Sequence, residues 1–186
     1  MKIAVLGGSF DPPHHGHLIV AQQVLELGYG EVWLQPCATN SFKKIFASPS
    51  QRLEMTRLAC AGFPKIKASD FELKYNPKGD TIDTARLLNS RGINYDFIIG
   101  SDLVAQARRW PRFNELCKEA RFLVFPRLPH ERKPRLPQGF RFYPRLATVT
   151  SINSTEIRER VKKGKAIRHL VPEKVEAFIS KNKLYA

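Results

Sequence analysis

A chain of 186 residues with 42% hydrophobic side chains carries enough apolar surface for one well-filled core and falls short of two ordinary domains; this excludes wholesale disorder and predicts a single domain over 1–186. The net charge is +14 and lies mostly in the C-terminal third, where residues 121–186 hold 16 Lys and Arg against 5 Asp and Glu, while 1–120 hold 15 against 12. Such a field attracts nucleic acid, anionic lipid or a polyanionic small molecule such as a nucleotide, and composition does not choose among them.

The chain opens on a short β-rich run, residues 2–6 (KIAVL), followed by helical spacing over 17–28 that closes at Gly28 as a C′ glycine. The alternation continues with a strand at 31–35, a helix at 49–61 opened by Ser48-Pro49, a strand at 65–69 and a helix at 80–91. A strand at 95–99, a helix at 112–119 and a strand at 121–125 complete it. This order predicts an α/β fold with a Rossmann-like, doubly wound, mainly parallel sheet. Residues 127–145, rich in Pro and Arg and without a period, read as a surface loop leading to a short strand near 140–149. Two C-terminal helices follow, one over 153–163 before Gly164, the other after Pro172 with Val175, Phe178 and Ile179 on one face.

No apolar run approaches the roughly 18 residues of a membrane span, and Met1-Lys2 leads straight into strand, so no membrane partner and a cytoplasmic location are expected. Cys37, Cys60 and Cys117 are odd in number and widely spaced, which predicts reduced, structural thiols.

The stretch between the first strand and the first helix is GGSFDPPHHGH, residues 7–17. Loops at the carboxyl ends of parallel strands bind ligands, and Gly7 and Gly8 allow positive φ and close backbone approach, as a phosphate-bearing ligand requires; a tight turn without a ligand is the other reading. Neither GxGxxG nor GxxxxGK[ST] is present. His14 and His17 are three residues apart and would share one face of a first helical turn beginning near Pro13, next to its partial positive charge, while His15 would point elsewhere. Two imidazole donors and a helix dipole suit a reaction that builds negative charge on phosphate oxygens, and they need no protein nucleophile. Cap or metal roles for these histidines remain open at this point.

A second such helix start lies in SINSTEIRER, residues 151–160, with Asn153 as N-cap and Glu156 three residues on. Ser154 and Thr155 offer hydroxyls and backbone N–H groups in its first turn, and Arg158 can fork onto phosphate oxygens. An ordinary capped helix with a solvent-facing arginine is the plainer alternative.

GGSFDPPHHGH resembles the opening motif of the HxGH nucleotidyltransferase superfamily, with residues 14–17 as the HxGH itself. SINSTEIRER resembles its second signature, ISSTxxR, with Asn153 in place of the usual serine. Between them SPSQRLEM (48–55), GDTIDTARLL (79–88), IIGSD (98–102) and RRWPRF (108–113) resemble the nicotinate mononucleotide adenylyltransferases of NAD biosynthesis. The resemblance implies adenylyl transfer from ATP to nicotinate mononucleotide, with His14, His17 and Arg158 as catalytic residues. It implies that Gly7, Gly8, Ser9, Phe10, Lys43, Gly100, Asp102, Ser154 and Thr155 meet ATP, Asp102 through the ribose hydroxyls. Thr81 and Trp110 would border the pyridine ring. Phe42 and Lys43 stand where the family has a His-Lys pair. Mg²⁺ would bridge the phosphates with few or no protein ligands. Two other readings stay open: pantetheine-phosphate adenylyltransferase, which shares the first motif, and a nucleic-acid-binding module using 127–168 with Phe140, Phe142 and Tyr143 among its basic residues.

Overall fold

The structure, a computed structural model, describes residues 1–40, 44–76, 78–127 and 135–186. Among the described residues six strands, β1 (Ile3–Gly8), β2 (Glu31–Pro36), β3 (Ile66–Ala68), β4 (Tyr95–Gly100), β5 (Phe122–Phe125) and β6 (Phe140–Phe142), form one sheet in the order β3-β2-β1-β4-β5-β6. Every pairing is parallel, from Ile3 opposite Glu31 and Tyr95 to Val124 opposite Phe142. The expected α/β, doubly wound sheet is therefore present, and it is wholly parallel.

The central strands β1, β4 and β5 are buried on both faces, and their period-2 alternation assigns a face to each side chain. Ile3, Val5, Phe97, Ile99, Phe122 and Val124 join one core with helix α4 (Thr81–Ser90), α5 (Val104–Ala107) and α6 (Phe113–Glu119). Ala4, Leu6, Val32, Leu34, Ile98 and Leu123 join the other with α1 (His15–Leu25). A third apolar cluster unites Met55 and Ala59 of α2 (Pro49–Cys60), Ile157 of α7 (Ser154–Lys162), Leu170, and Val175 and Ile179 of α8 (Glu173–Lys181). This cluster fixes the C-terminal helices against α2 rather than leaving them as an appendage.

Several boundaries differ from the sequence reading for local reasons. Two segments lacked a readable period because they are too short for one: α3 (Phe71–Tyr75), and the 3₁₀ turn Ser101–Leu103 that runs into α5. Helix α1 starts at His15, since Pro12 and Pro13 precede an extended His14 (φ −148°, ψ 170°) that serves as N-cap, and it ends at Leu25 with Gly28 at φ +90° beyond a further turn. Gly7 and Gly8 are the last residues of β1 and do not use positive φ; the left-handed residue of this loop is Phe10, at φ +48°. Helix α2 opens as expected, with a reciprocal cap in which Gln51 N–H donates to Ser48 Oγ (3.3 Å) and Ser48 N–H to Gln51 Oε1 (2.9 Å).

Phe140 and Tyr143 of the basic C-terminal third are packed into the core rather than offered for base stacking. Phe140 stacks on Phe122 at 4.2 Å, Tyr143 packs on Phe125 at 4.9 Å, and Arg141 donates to the buried Asp96, which also receives Lys2 at 2.7 Å. The three cysteines are free, and burial among apolar groups pushes the Cys60 thiol up to about 12, as suits a structural residue. Among the described residues no helix is long and apolar enough to cross a membrane.

Candidate active site

The strand order reverses between β1 and β4, and the crevice outside their carboxyl ends is where an open parallel sheet accommodates a ligand. Gly7 and Gly8 end β1 there and Gly100 ends β4. A Cβ on Gly7 would meet nothing within 4 Å, so its face toward the crevice is open. Gly16 is a glycine for the opposite reason: a Cβ would lie 3.0 Å from both His14 Nδ1 and Thr150 Oγ1.

The imidazoles of His14 and His17 stack at 3.7 Å at the start of α1. His14 N–H donates to His17 Nδ1 at 3.1 Å, so the neutral His17 ring carries its proton on Nε2. His14 is buried, and its Nδ1 has no hydrogen-bond partner among the described residues. His15 does not share the site; its N–H donates to Leu170 O at 3.0 Å.

Helix α7 brings the second motif to the same loop. Asn153 caps it, accepting from Glu156 N–H at 2.9 Å. Ser154 Oγ donates to Pro12 O at 2.9 Å, and Arg158 NH1 donates to Asp11 O at 2.7 Å. Two sequence motifs separated by more than a hundred residues are thus hydrogen-bonded to each other. Arg158 NH2 also reaches Thr155 Oγ1 at 3.2 Å, and its guanidinium lies 4.6 Å over the Phe46 ring, which fixes the fork in place.

These groups face one cleft of about 350 Å³. Gly7, Gly8, Ser9, Phe10, His14 and His17 line its first wall, and Ser154, Thr155 and Arg158 line its second. Gly100, Thr81 and Trp110 line the far side, where Trp110 also packs against Phe122 at 6.1 Å. A smaller recess of about 80 Å³ opens from it, bounded by Leu6, Val20, Ile98, Phe125 and Val149 and sharing His14 and His17 with the cleft.

Lys43 and Phe42 lie outside the described residues. The structure does not place Asp102 on the cleft wall; its carboxylate stands 3.8 Å from Arg127 Nε. Arg127 itself lines the cleft, as does Lys44, and neither was singled out from sequence. The position of Arg127 just past the end of β5 was the available signal, since that is the ligand-facing edge of the sheet.

Burial holds both imidazoles neutral. His17 is brought down to about 3 by desolvation and then by Arg127, and His14 is lowered by desolvation, then by His17, Arg127 and His15. An unfolded histidine titrates near 6.5, so as pH falls below that value the unfolded chain takes up protons that the folded chain refuses. Stability from His17 is therefore complete above 6.5 and is lost as pH drops toward 3. Glu72, pushed by burial to about 7, works in the opposite sense over the overlapping window. The check is a comparison: without nucleotide, Tm between pH 6.5 and 5 should fall more steeply in wild type than in His17→Asn.

Known proteins resemble this chain along its length. The cytidylyltransferase-like family model matches residues 5–160. A Bacillus subtilis protein named nicotinate-nucleotide adenylyltransferase is 33% identical over 99% of this chain and 98% of its own length. A relative from Exiguobacterium sibiricum, named "Probable nicotinate-nucleotide adenylyltransferase", is 37% identical over the full length of both chains. The solved structure of Plasmodium falciparum nicotinic acid mononucleotide adenylyltransferase complexed with NaAD superposes with a TM-score of 0.77 at 25% identity, covering 99% of this chain and 97% of that one. The chain belongs to the nicotinate-nucleotide adenylyltransferase family of the cytidylyltransferase-like proteins.

Proposed function

We propose that this protein transfers the adenylyl group of ATP to nicotinate mononucleotide, giving nicotinate adenine dinucleotide and pyrophosphate. The observation that carries the reading is the direct bonding of the two motifs, Arg158 to Asp11 O and Ser154 to Pro12 O, which puts two imidazoles and a fixed guanidinium on one cleft at the switch point of the sheet.

An oxygen of the mononucleotide phosphate attacks the α-phosphorus of ATP in line; the new P–O bond forms as the bond to the β-phosphate bridge breaks, and pyrophosphate leaves with the electron pair. No side chain is consumed, so the protein acts through position and charge. His17 donates from Nε2 and His14 adds a second donor to the phosphate oxygens on which charge accumulates, while Arg158, Ser154, Thr155 and, by the family resemblance, Lys43 hold the β- and γ-phosphates. Lys44 and Arg127 add positive potential on the cleft wall. The apolar recess beside Leu6 and Ile98 suits the purine face. Asp102, whose buried Oδ1 has no hydrogen-bond partner among the described residues and whose Oδ2 stands 3.8 Å from Arg127, would accept from the ribose hydroxyls. Thr81 and Trp110 border the pyridine, the indole offering a flat polarisable face to an electron-poor ring.

Magnesium would arrive with the triphosphate, and the Asp11 carboxylate would not be its ligand, being occupied by Phe46 N–H, Ala47 N–H and Tyr185 OH. Magnesium held by phosphate oxygens and water would neutralise charge on the leaving pyrophosphate. The whole chain acts as one nucleotidyltransferase domain, and its free thiols support a cytoplasmic setting.

Pyrophosphate release with ATP tests the reading across nicotinate mononucleotide, nicotinamide mononucleotide and phosphopantetheine. Nicotinate mononucleotide should give the highest kcat/KM; turnover of phosphopantetheine alone would assign the runner-up activity instead. Salt-sensitive RNA binding without pyrophosphate release would point to the basic C-terminal third.

A further inference from the structure

The segment after α8 turns back into the molecule. Leu184 N–H donates to Ile179 O at 3.0 Å and Lys183 N–H to Ser180 O at 3.2 Å, with Lys183 at φ +50°. This is the double hydrogen bond of a Schellman ending, and it seats Leu184 against the cluster shared by α2, α7 and α8. Tyr185, itself at φ +65°, then donates its hydroxyl to Asp11 Oδ1 at 2.8 Å. A bulky residue in the left-handed region is uncommon and persists where its surroundings hold it there.

Asp11 is only 1% exposed and belongs to the lining of the cleft between the two motifs. Its carboxylate accepts from Phe46 N–H (2.8 Å) and Ala47 N–H (3.0 Å) as well as from Tyr185, and its carbonyl accepts from Arg158. The Phe46 ring carries Arg158 at 4.6 Å and Lys44 at 5.2 Å. Two cations that would repel each other are therefore held by one aromatic ring whose backbone is bonded to Asp11. Tyr185 shares Oδ1 with Ala47, so the hydroxyl balances a carboxylate otherwise pulled entirely toward the 46–47 segment.

We propose that Tyr185 is a positioning residue for the triphosphate: through Asp11 it sets the geometry of Arg158 and of the Phe46 platform that carries Lys44. This rests on the adenylyl-transfer reading for the identity of the ligand. It also separates Tyr185 from the acceptor side, where Thr81 and Trp110 line the opposite part of the cleft.

Tyr185→Phe removes one hydroxyl and keeps the ring. Titration with a non-hydrolysable ATP analogue should show Kd about five- to tenfold weaker than wild type, the scale of one net hydrogen bond, with KM for nicotinate mononucleotide within about twofold. Lys183→Gly, which keeps the left-handed turn, should bind the analogue as wild type does. In an Asp11→Asn background the tyrosine substitution should add little. A purely structural Tyr185 would lower Tm while leaving analogue Kd unchanged, and that result, or full additivity with Asp11→Asn, overturns the proposal. Wild type that binds the analogue but releases no pyrophosphate with any acceptor would defeat the reaction assignment instead, and the comparison of Kd values would still decide the role of Tyr185.

Discussion

His17→Ala should lower kcat by about 10²–10³ with a smaller change in KM for ATP, the scale observed when one fixed donor to a developing oxyanion is removed. The structure gives the side chain two separable jobs. Its Nδ1 accepts from His14 N–H and so caps α1, leaving Nε2–H as the donor on the cleft. Alanine loses both, and the cap alone is worth about 1 kcal/mol of stability. His17→Asn places an oxygen near the Nδ1 position and should recover Tm without recovering turnover. Steady-state pyrophosphate release paired with thermal unfolding of the two variants separates the effects. Turnover of His17→Ala within about threefold of wild type would remove His17 from the chemistry, since a lost transition-state donor costs far more.

The division between what was legible in the sequence and what was not follows the range of the interactions. The first strand was readable as a local β-rich run, residues 2–6, whereas the assignment of Ile3 and Val5 to one core and of Ala4 and Leu6 to the other needed the structure. The cap at Asn153 and the pairing of His14 with His17 were equally local, needing only offsets of three residues. That both helix starts meet could be expected only from the motifs taken together; the bonds Ser154 to Pro12 O and Arg158 to Asp11 O supply the physical reason. Phe10 at φ +48° could not be anticipated, because intrinsic preference assigned that conformation to the glycines beside it. Arg127 is one basic residue among many in its region, and the partner of Tyr185, Asp11, lies at the other end of the chain. In each of these cases tertiary packing, rather than local propensity, sets the position.

Arg158→Ala should lower kcat/KM for ATP by about 10² or more, because charge-assisted bonds to phosphate contribute roughly 1.5–3 kcal/mol each and this guanidinium is already oriented to make them. One nitrogen is spent on Asp11 O and another on Thr155 Oγ1, and the Phe46 ring backs the plane, so the fork cannot swing away when the triphosphate arrives. Arg158→Lys retains the charge but loses the planar fork, and it should recover only part of the loss, remaining about tenfold below wild type. The informative control is Arg168→Ala. Arg168 belongs to the same basic third of the chain, but its side chain is 71% exposed and pairs with Glu173 at 3.1 Å. Removing a solvated charge of that kind should change kcat/KM by less than about twofold. If the +14 field acted mainly by drawing ATP to the surface, both substitutions would weaken turnover alike and added salt would erase the difference. A large, salt-resistant effect at Arg158 alone requires instead that the cation act in place, on phosphate oxygens, from the first turns of α7.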